Sequence, residues 1–581
     1  MPSISKELDF TESTGREIAI LKYGKEWPIV YILYDEDEAY VGETVDARMR
    51  MIQHYDNPDR RKMKHVRIIS DETFNKSAIL DLEAFLISHM SADSRFSNLQ
   101  NGNMGHQKHN YYQKQFYESQ FKDIWKRLHD LGLAEKDSKK IENSNIFKYS
   151  PYKTLTADQY AVATGVIKSL VEDIRNKRKS TFIVEGAPGT GKTIVGVYLM
   201  KLLCSDMTEE VDSENEELLM ALQELHTLKP DLKIGLVVSM VNLRQILKNT
   251  FRSTYGLNEK MVYGPGDVAR STEKFDLLIV DEAHRLKAPR AVGAEIGSMQ
   301  NNNVRLGLDK KKGTQLDWIM KMSDHQVLLY DPSQTIKKAD IDRASINKLE
   351  NVRKFDLETQ LRCMSGGVEY ITFMKKLFSN EKIDNQYRIG SYDLRVFDDV
   401  KEMTDLIKQR NKNSEIGLCR NIAGYGWKWS TKDEIHPTNE RETEKCIASG
   451  YYDIDIENNK YIWNTKYDGW IASENSINEI GCIHTIQGFD LNYAGVIIGN
   501  ELKYDEENEK LIVDKDSYFD AKGKESANDE ELYNYIMNIY YVLCTRGING
   551  TYIYICDPAL RKHIKRMIEE YTVKQTKKNM V

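Results

Sequence analysis

The sequence has no apolar run of the roughly 18 residues that a membrane-crossing helix requires, so no membrane span is expected. Its first residues, Met1 to Phe10, combine neither a basic start nor an apolar stretch, so no secretion leader is expected. Cysteine is sparse: seven are scattered along the chain and no C-x-x-C pair occurs. That excludes a disulfide framework and a cysteine-built zinc site, and it points to a reducing, cytoplasmic setting. An excess of positive charge is also missing. The formal net charge is −7, from 82 Lys+Arg and 89 Asp+Glu, whereas a phosphate backbone wants cations. Local patches can outvote that total. Two are visible: Arg60, Arg61, Lys62, Lys64 and Arg67, then Arg175, Lys177, Arg178 and Lys179. Each reads first as a solvated surface turn. No internal repeat is evident.

What is present is length. A chain of 581 residues exceeds one hydrophobic core, so roughly two to four domains are expected. Residues 1–105 alternate short apolar runs, such as Ile29 to Tyr34, with an amphipathic stretch from Ile79 to Met90. Residues 106–150 read as a helical connector, with Phe116, Phe121, Trp125 and Leu128 marking one buried face. It closes in a polar stretch, Glu142 to Asn145, then Ser150-Pro151, where the linker is placed. Residues 151–350 and 351–581 alternate apolar strand-like runs with longer helical patterns, as stacked βαβ units around parallel sheets do. The acidic segment Asp206 to Glu224 reads as an exposed insertion.

The most specific motif is Gly186-Ala-Pro-Gly189-Thr190-Gly191-Lys192-Thr193, which fits G-x-x-x-x-G-K-S/T at every fixed position. Thr181 to Glu185 supplies the preceding strand and Ile194 to Leu203 the following helix. Glycines let backbone N–H groups close on phosphate oxygens, and the helix N-terminus adds a favourable dipole. Lys192 would reach the β- and γ-phosphates of ATP, and the Thr193 hydroxyl would bind Mg2+. A second apolar strand, Phe275 to Val280, ends in Asp281-Glu282-Ala283-His284. Asp281 would hold the Mg2+ shell, and Glu282 would orient and activate the attacking water.

Around these motifs the sequence resembles superfamily 1 helicases, over roughly residues 150–560. Leu155-Thr-Ala-Asp-Gln159 is similar to the L-T-x-x-Q segment, whose glutamine reads the adenine edge. Asp331-Pro-Ser-Gln334 is similar to the γ-phosphate sensor G-D-x-x-Q, with Tyr330 where glycine is usual. Thr359-Gln-Leu-Arg362 and Val542-Leu-Cys-Thr-Arg546 resemble the motifs whose arginines enter the ATP site from the second lobe. His484-Thr-Ile-Gln487-Gly488-Phe-Asp490 resembles the segment that links ATP to nucleic acid. The run Arg420 to Trp429, with Asn538-Ile-Tyr540, narrows the resemblance to the uncharacterised helicase family related to the C-terminal ATPase of Schlafen proteins. For Trp427 and Trp429, core packing is preferred over base stacking.

The first block resembles the GIY-YIG nuclease core. Val30-Tyr31 and Tyr40-Val-Gly42 are two Tyr-bearing strands joined by a short polar turn. Arg50 follows on a helix with His54 one turn on, then Glu83 in a second helix, then Asn98 or Asn101. The resemblance implies that Glu83 holds a divalent metal, that Arg50 stabilises charge on phosphorus, and that Tyr31 or Tyr40 helps deprotonate the water. The first motif, Ile29-Val30-Tyr31, lacks the family's glycine, and the spacing between the two motifs is short.

The expected fold class is therefore α/β: a small mixed nuclease-like domain followed by two RecA-like parallel-sheet lobes. The expected activity is an ATP-dependent DNA translocase or helicase coupled to an Mg2+-dependent endonuclease, in defence or repair. An ATP-regulated RNA nuclease and an ATP-switched sensor with an inactive first domain are the alternatives. Nucleic acid is the expected partner, DNA before RNA; self-association is left open.

Overall fold

A computed structural model describes residues 2–101, 111–153, 155–204, 216–289, 294–332, 340–341, 343–359, 367–379, 381–413, 417–431, 434–466, 469–486, 489–520, 524 and 528–574. Among these residues three main sheets organise the chain. The first is mixed. Ile29–Tyr34 lies between His65–Ser70 and Glu38–Thr44, antiparallel to both, and Asn98–Leu99 joins the outer edge in parallel. Alternation along the central strand splits its side chains between two cores. Val30, Ile32 and Tyr34 pack with the Lys76–Ala92 helix, while Ile29, Tyr31 and Leu33 pack on the other face with Tyr40, Ala47 and Met51.

Residues 111–152 do not behave as a connector. The Lys114–Asp130 helix buries Tyr117, Phe121, Ile124, Trp125 and Leu128 in the same core as the Lys76–Ala92 helix. The Trp125 indole is satisfied by the Lys136 carbonyl at 2.9 Å. The expected buried face is there, except that Phe116 is exposed, because it lies off the Phe121–Trp125–Leu128 stripe. Domain one therefore extends beyond residue 105.

The second sheet is wholly parallel, in the order Val352–Leu357, Ser180–Gly186, Ser323–Tyr330, Phe275–Asp281, Ile234–Val238, Val262–Tyr263. Its edge strand Val352–Leu357 lies past residue 350, so the first RecA-like lobe runs beyond the boundary read from the sequence. The third sheet, also parallel, has the order Asp393–Phe397, Gly547–Ile555, Leu491–Ile498, Cys419–Ala423, Ile480–Cys482. It is the core of the second lobe, against which Trp427 and Trp429 pack half-buried with Trp463.

Of the acidic stretch, residues 206–215 lie outside the described residues, and the rest is not an exposed insertion. From Glu216 it is a helix, Glu216–Leu228, that buries Leu218, Leu222 and Leu225 in the first lobe. Glu217 and Glu224 pair with the neighbouring helix, Glu217 with Lys168 and Glu224 with Arg175 at 2.7 Å. Arg178 meets Glu172 and Asp173, and Lys179 meets Asp324, so this basic run is spent on acidic partners.

Part of the run that narrowed the sequence resemblance is explained by one buried acid. Glu501 is fully buried and its Oε1 accepts from the Tyr540 hydroxyl, which in turn accepts from Gly499 N at 3.1 Å. A Cβ at Gly426 or Gly499 would come within 2.3 or 2.2 Å of Glu501 Oε2, so both positions must be glycine to admit the carboxyl. Burial pushes Glu501 up to about 7, against an ordinary 4.5. The fold thus favours the protonated acid. Its contribution is fully present below pH 4.5 and is lost as pH rises toward 7, at roughly 1.4 kcal/mol per unit. Glu501→Gln should remove that slope: the difference in urea midpoint between pH 5 and pH 8 is expected to shrink relative to wild type. An unchanged difference would show that the acid is ionised in the fold.

Candidate functional site

The parallel register of the first lobe brings three strand ends to one edge. Ile183, Leu328 and Val280 stand level across neighbouring strands, so Gly186, Asp331 and Asp281 all emerge at the carboxyl ends, where ligands of open α/β sheets bind. Gly189 and Gly191 have φ of +88° and +80°, conformations that a side chain resists, and these let the loop wrap. The Lys192–Cys204 helix follows directly, buried along most of its length by Val195, Val197, Leu199 and Leu202.

Lys192 Nζ donates to Gly186 O at 2.7 Å and Ala187 O at 3.1 Å, and lies 3.6 Å from Asp331 Oδ2. Thr190 is buried, with its hydroxyl on Ala187 O at 3.0 Å. The Thr193 hydroxyl donates to Asp281 Oδ2 at 2.9 Å. Burial and the neighbouring Glu282 charge push Asp281 up to about 7, while Thr193 and Lys192 oppose the rise. Glu282 is partly buried, which opposes ionisation, yet its carboxyl is held far below the usual range by His284, Lys192 and Arg285. His284 Nε2 is 2.8 Å from Glu282 Oε2, outside hydrogen-bond geometry, and neither ring nitrogen has a hydrogen-bond partner among the described residues. Glu282 takes the left-handed backbone, φ +50°, which a non-glycine residue adopts at a cost and which marks functional turns. A hydroxyl and a buried carboxylate in contact beside an ammonium form a donor set that fits a divalent cation carrying a polyphosphate.

Asp331, which the sequence reading did not single out as a site residue, is 1% exposed and faces Lys192. Its signal in the sequence was the aspartate position of the G-D-x-x-Q-like segment; in the sheet it follows Tyr330, which pairs with Glu185, and so stands beside Gly186. Gln159 lies at the site, but its amide is engaged: Nε2 donates to Thr190 O at 2.8 Å, and Oε1 accepts from Thr156 N at 3.1 Å in a capping box. In this arrangement it braces the phosphate loop. Arg546 is 1% exposed inside the second lobe, donating to Val542 O at 3.1 Å and Phe489 O at 3.3 Å. Gln334, Arg362, Gln487 and Gly488 lie outside the described residues.

In the first domain Asp46 caps the Ala47–Asp56 helix by accepting from Met49 N, which starts the turn that sets Arg50 and His54 on one face. Both reach Tyr31. His54 Nε2 is 2.6 Å from Tyr31 Oη, and Arg50 Nε donates to that oxygen at 3.2 Å. Tyr40 stands edge-on to His54, ring centroids 5.0 Å apart. Burial, then the Arg60 and Arg50 charges, drive His54 down to about 2, so it is neutral. Burial pushes the Tyr31 hydroxyl well up; Tyr40 and Glu83 add to this and Arg50 opposes it. Glu83, 3% exposed on the Lys76–Ala92 helix, thus acts on the cluster through its charge.

Asn101 is differently employed. Its Oδ1 accepts from Val41 N at 3.0 Å and its Nδ2 donates to Val41 O at 2.6 Å, so its amide clamps the Tyr40-Val-Gly42 strand. Asn98 bonds Glu38 Oε1 at 2.8 Å. The first basic patch is largely spent as well. Arg67 bonds Ser5 O and Tyr34 Oη, Lys62 pairs with Asp59, and Arg60 is buried.

One segment touches all three units. Tyr152 Oη donates to Asn101 O at 3.1 Å, Tyr149 packs on the first-lobe core, and Lys148 Nζ reaches Asp490 O at 3.5 Å.

Two parallel-sheet lobes, a phosphate loop and an acid-ended strand two places along define a helicase-like P-loop ATPase fold. A family model for the Schlafen group 3 DNA/RNA helicase domain matches residues 179–557, well over half of the chain, and the chain belongs to that family. It is 23% identical over 455 residues to the uncharacterized protein YPL245W of Saccharomyces cerevisiae, covering 71% of this chain and 91% of that one. Among solved structures, DEAD-box helicase Mss116 bound to ssRNA and UDP-BeF is similar at 14% identity and TM-score 0.32, over 73% of this chain and 79% of that one. The arterivirus nonstructural protein 10 helicase in complex with DNA is similar at 9% identity and TM-score 0.27, over 67% and 63%.

Gly42 faces Tyr31 across the strand pair, and a Cβ there would lie 2.2 Å from Tyr31 Oη. Gly42→Ala should displace that hydroxyl and cost about 1–3 kcal/mol through overpacking, read as a lower unfolding midpoint of the first domain. An unchanged midpoint would mean that Tyr31 does not occupy this position.

Proposed function

We propose that the chain is an ATP-driven nucleic-acid translocase or helicase joined to an Mg2+-dependent endonuclease of GIY-YIG type. The observation that carries the motor is the Thr193–Asp281 hydrogen bond beside Lys192. Mg2+ bound there would screen the charge of the ATP β- and γ-phosphates. Thr193 and Asp281 would hold it, Lys192 would leave the loop carbonyls for phosphate oxygens, and Glu282, kept ionised, would orient and deprotonate the attacking water. Gln159 would read the adenine edge only by giving up its hydrogen bonds to the phosphate loop and Thr156. Gln334 would sense the γ-phosphate, and Gln487 and Gly488 would link ATP state to nucleic acid. Arg362 and Arg546 would face the phosphates from the second lobe, and for Arg546 that requires its side chain to leave the lobe interior.

The nuclease half is supported by the Tyr31–His54–Arg50 cluster with Glu83 acting on it. A metal held by a single carboxylate is what the resemblance implies, and Glu83 is the buried carboxylate whose charge reaches Tyr31. Glu83 would hold the ion, Arg50 would stabilise charge on phosphorus, and Tyr31 is better placed than Tyr40 to act on the water because both His54 and Arg50 reach its oxygen. Coupling of motor to nuclease would run through residues 148–152, which touch Asp490 and Asn101. DNA is the preferred substrate, foreign or damaged.

The test pairs wild type with Lys192→Ala and Glu83→Ala, on matched DNA and RNA, with and without ATP and Mg2+. Lys192→Ala is expected to lose nucleic-acid-stimulated ATP hydrolysis by about 100-fold or more. Glu83→Ala should retain hydrolysis and lose cutting. Hydrolysis indifferent to nucleic acid would remove the motor reading, cutting that survives in Glu83→Ala would remove the nuclease site, and cutting of RNA alone would move the substrate to RNA.

A further inference from the structure

Arg60 looks, in sequence, like one cation in a surface run. The structure turns it inward. It is 7% exposed, its guanidinium carbon lies 3.6 Å from the Tyr40 ring centroid, and its NH1 is 3.1 Å from His54 Nδ1. Asn57 Oδ1 accepts from its backbone N at 3.2 Å, anchoring the turn that delivers it.

The direction of each hydrogen bond follows from inventory. A guanidinium has only donors, so His54 Nδ1 must accept. A neutral imidazole carries one proton, which is then on Nε2. Nε2–H therefore donates to Tyr31 Oη, 2.6 Å away. Arg50 Nε donates to the same oxygen. Tyr31 Oη thus accepts two hydrogen bonds, and its own O–H is directed away from both donors. In the opposite tautomer, Nδ1–H would confront the N–H groups of Arg60, and Nε2 would draw the Tyr31 proton toward itself.

We propose that Arg60 is a positioning residue: it locks His54 as the Nε2–H tautomer, so that Tyr31 Oη is doubly hydrogen-bonded and presents its remaining face to the site. Two donors on one phenolic oxygen offset part of the rise that burial imposes on Tyr31, which is the direction needed by a tyrosine that takes a proton from water. This catalytic consequence rests on the nuclease reading above. The tautomer assignment does not.

The experiment uses the full chain with 15N-labelled histidine and long-range proton–nitrogen correlation spectra, His54 being assigned by its loss in His54→Gln. Wild type is expected to show a protonated Nε2 and a bare Nδ1. Arg60→Met, which keeps the stem and removes the donors, should lose that preference, and Arg60→Lys, which keeps a donating cation, should restore it. A protonated Nδ1 in wild type, or an unaltered tautomer in folded Arg60→Met, overturns the proposal. The wild-type spectrum decides even where Arg60→Met fails to fold. Cleavage is measured on the same proteins: kcat should fall about tenfold or more in Arg60→Met with KM held, and recover in Arg60→Lys. A shifted tautomer with unchanged kcat would overturn the catalytic part. Wild type that cuts no nucleic acid removes the nuclease reading and with it that catalytic part, while the spectra still decide the tautomer.

Discussion

The nucleotide site depends on the register of one parallel sheet. Gly186, Asp331 and Asp281 are far apart in sequence, yet strand ends that stand level place them on one edge. A slip of one residue along any strand would flip its side chains to the other face and take an acid out of the site. The register is itself held by burial. Ile183, Leu328 and Val280 pack on one side of the sheet, and Val184, Leu329 and Ile279 on the other. The hydrophobic cores therefore fix where charge is allowed to gather.

That gathering has a consistent sign logic. Two buried acids, Asp281 and Asp331, and the partly buried Glu282 surround one buried ammonium, Lys192. Buried like charges repel strongly unless cations compensate. Asp281 responds by rising in pKa, and Glu282 is kept low by His284, Lys192 and Arg285. Two adjacent carboxyls with opposite shifts suit two jobs, one holding a cation and one acting on water.

The first domain solves a different problem with similar means. A tyrosine hydroxyl sits in the space that a side chain at position 42 would fill, so glycine there is a packing requirement, as its place in the motif suggested. Ile29 stands where the first motif's glycine would, and it is fully buried in the same core as Tyr31, so that position accommodates a side chain where position 42 does not.

The sequence by itself determined the α/β class, the parallel lobes, and the places of the phosphate loop and the acid-ended strand. Those are local: loop glycines, strand runs and a lysine act over a few neighbouring residues. Only the tertiary structure decided the rest. The stripe of Phe121, Trp125 and Leu128 was legible, though Phe116 was wrongly included, but not that it would join the first domain's core, because a buried face does not name its partner. The acidic segment after residue 206 hid a helix, since its charges masked three leucines. Likewise, whether Arg60 is a surface cation or a buried donor, whether Asn101 touches phosphate or clamps Val41, and whether Arg546 points out or in are matters of direction. Residue type sets what a side chain can donate or accept, and only packing sets where it points.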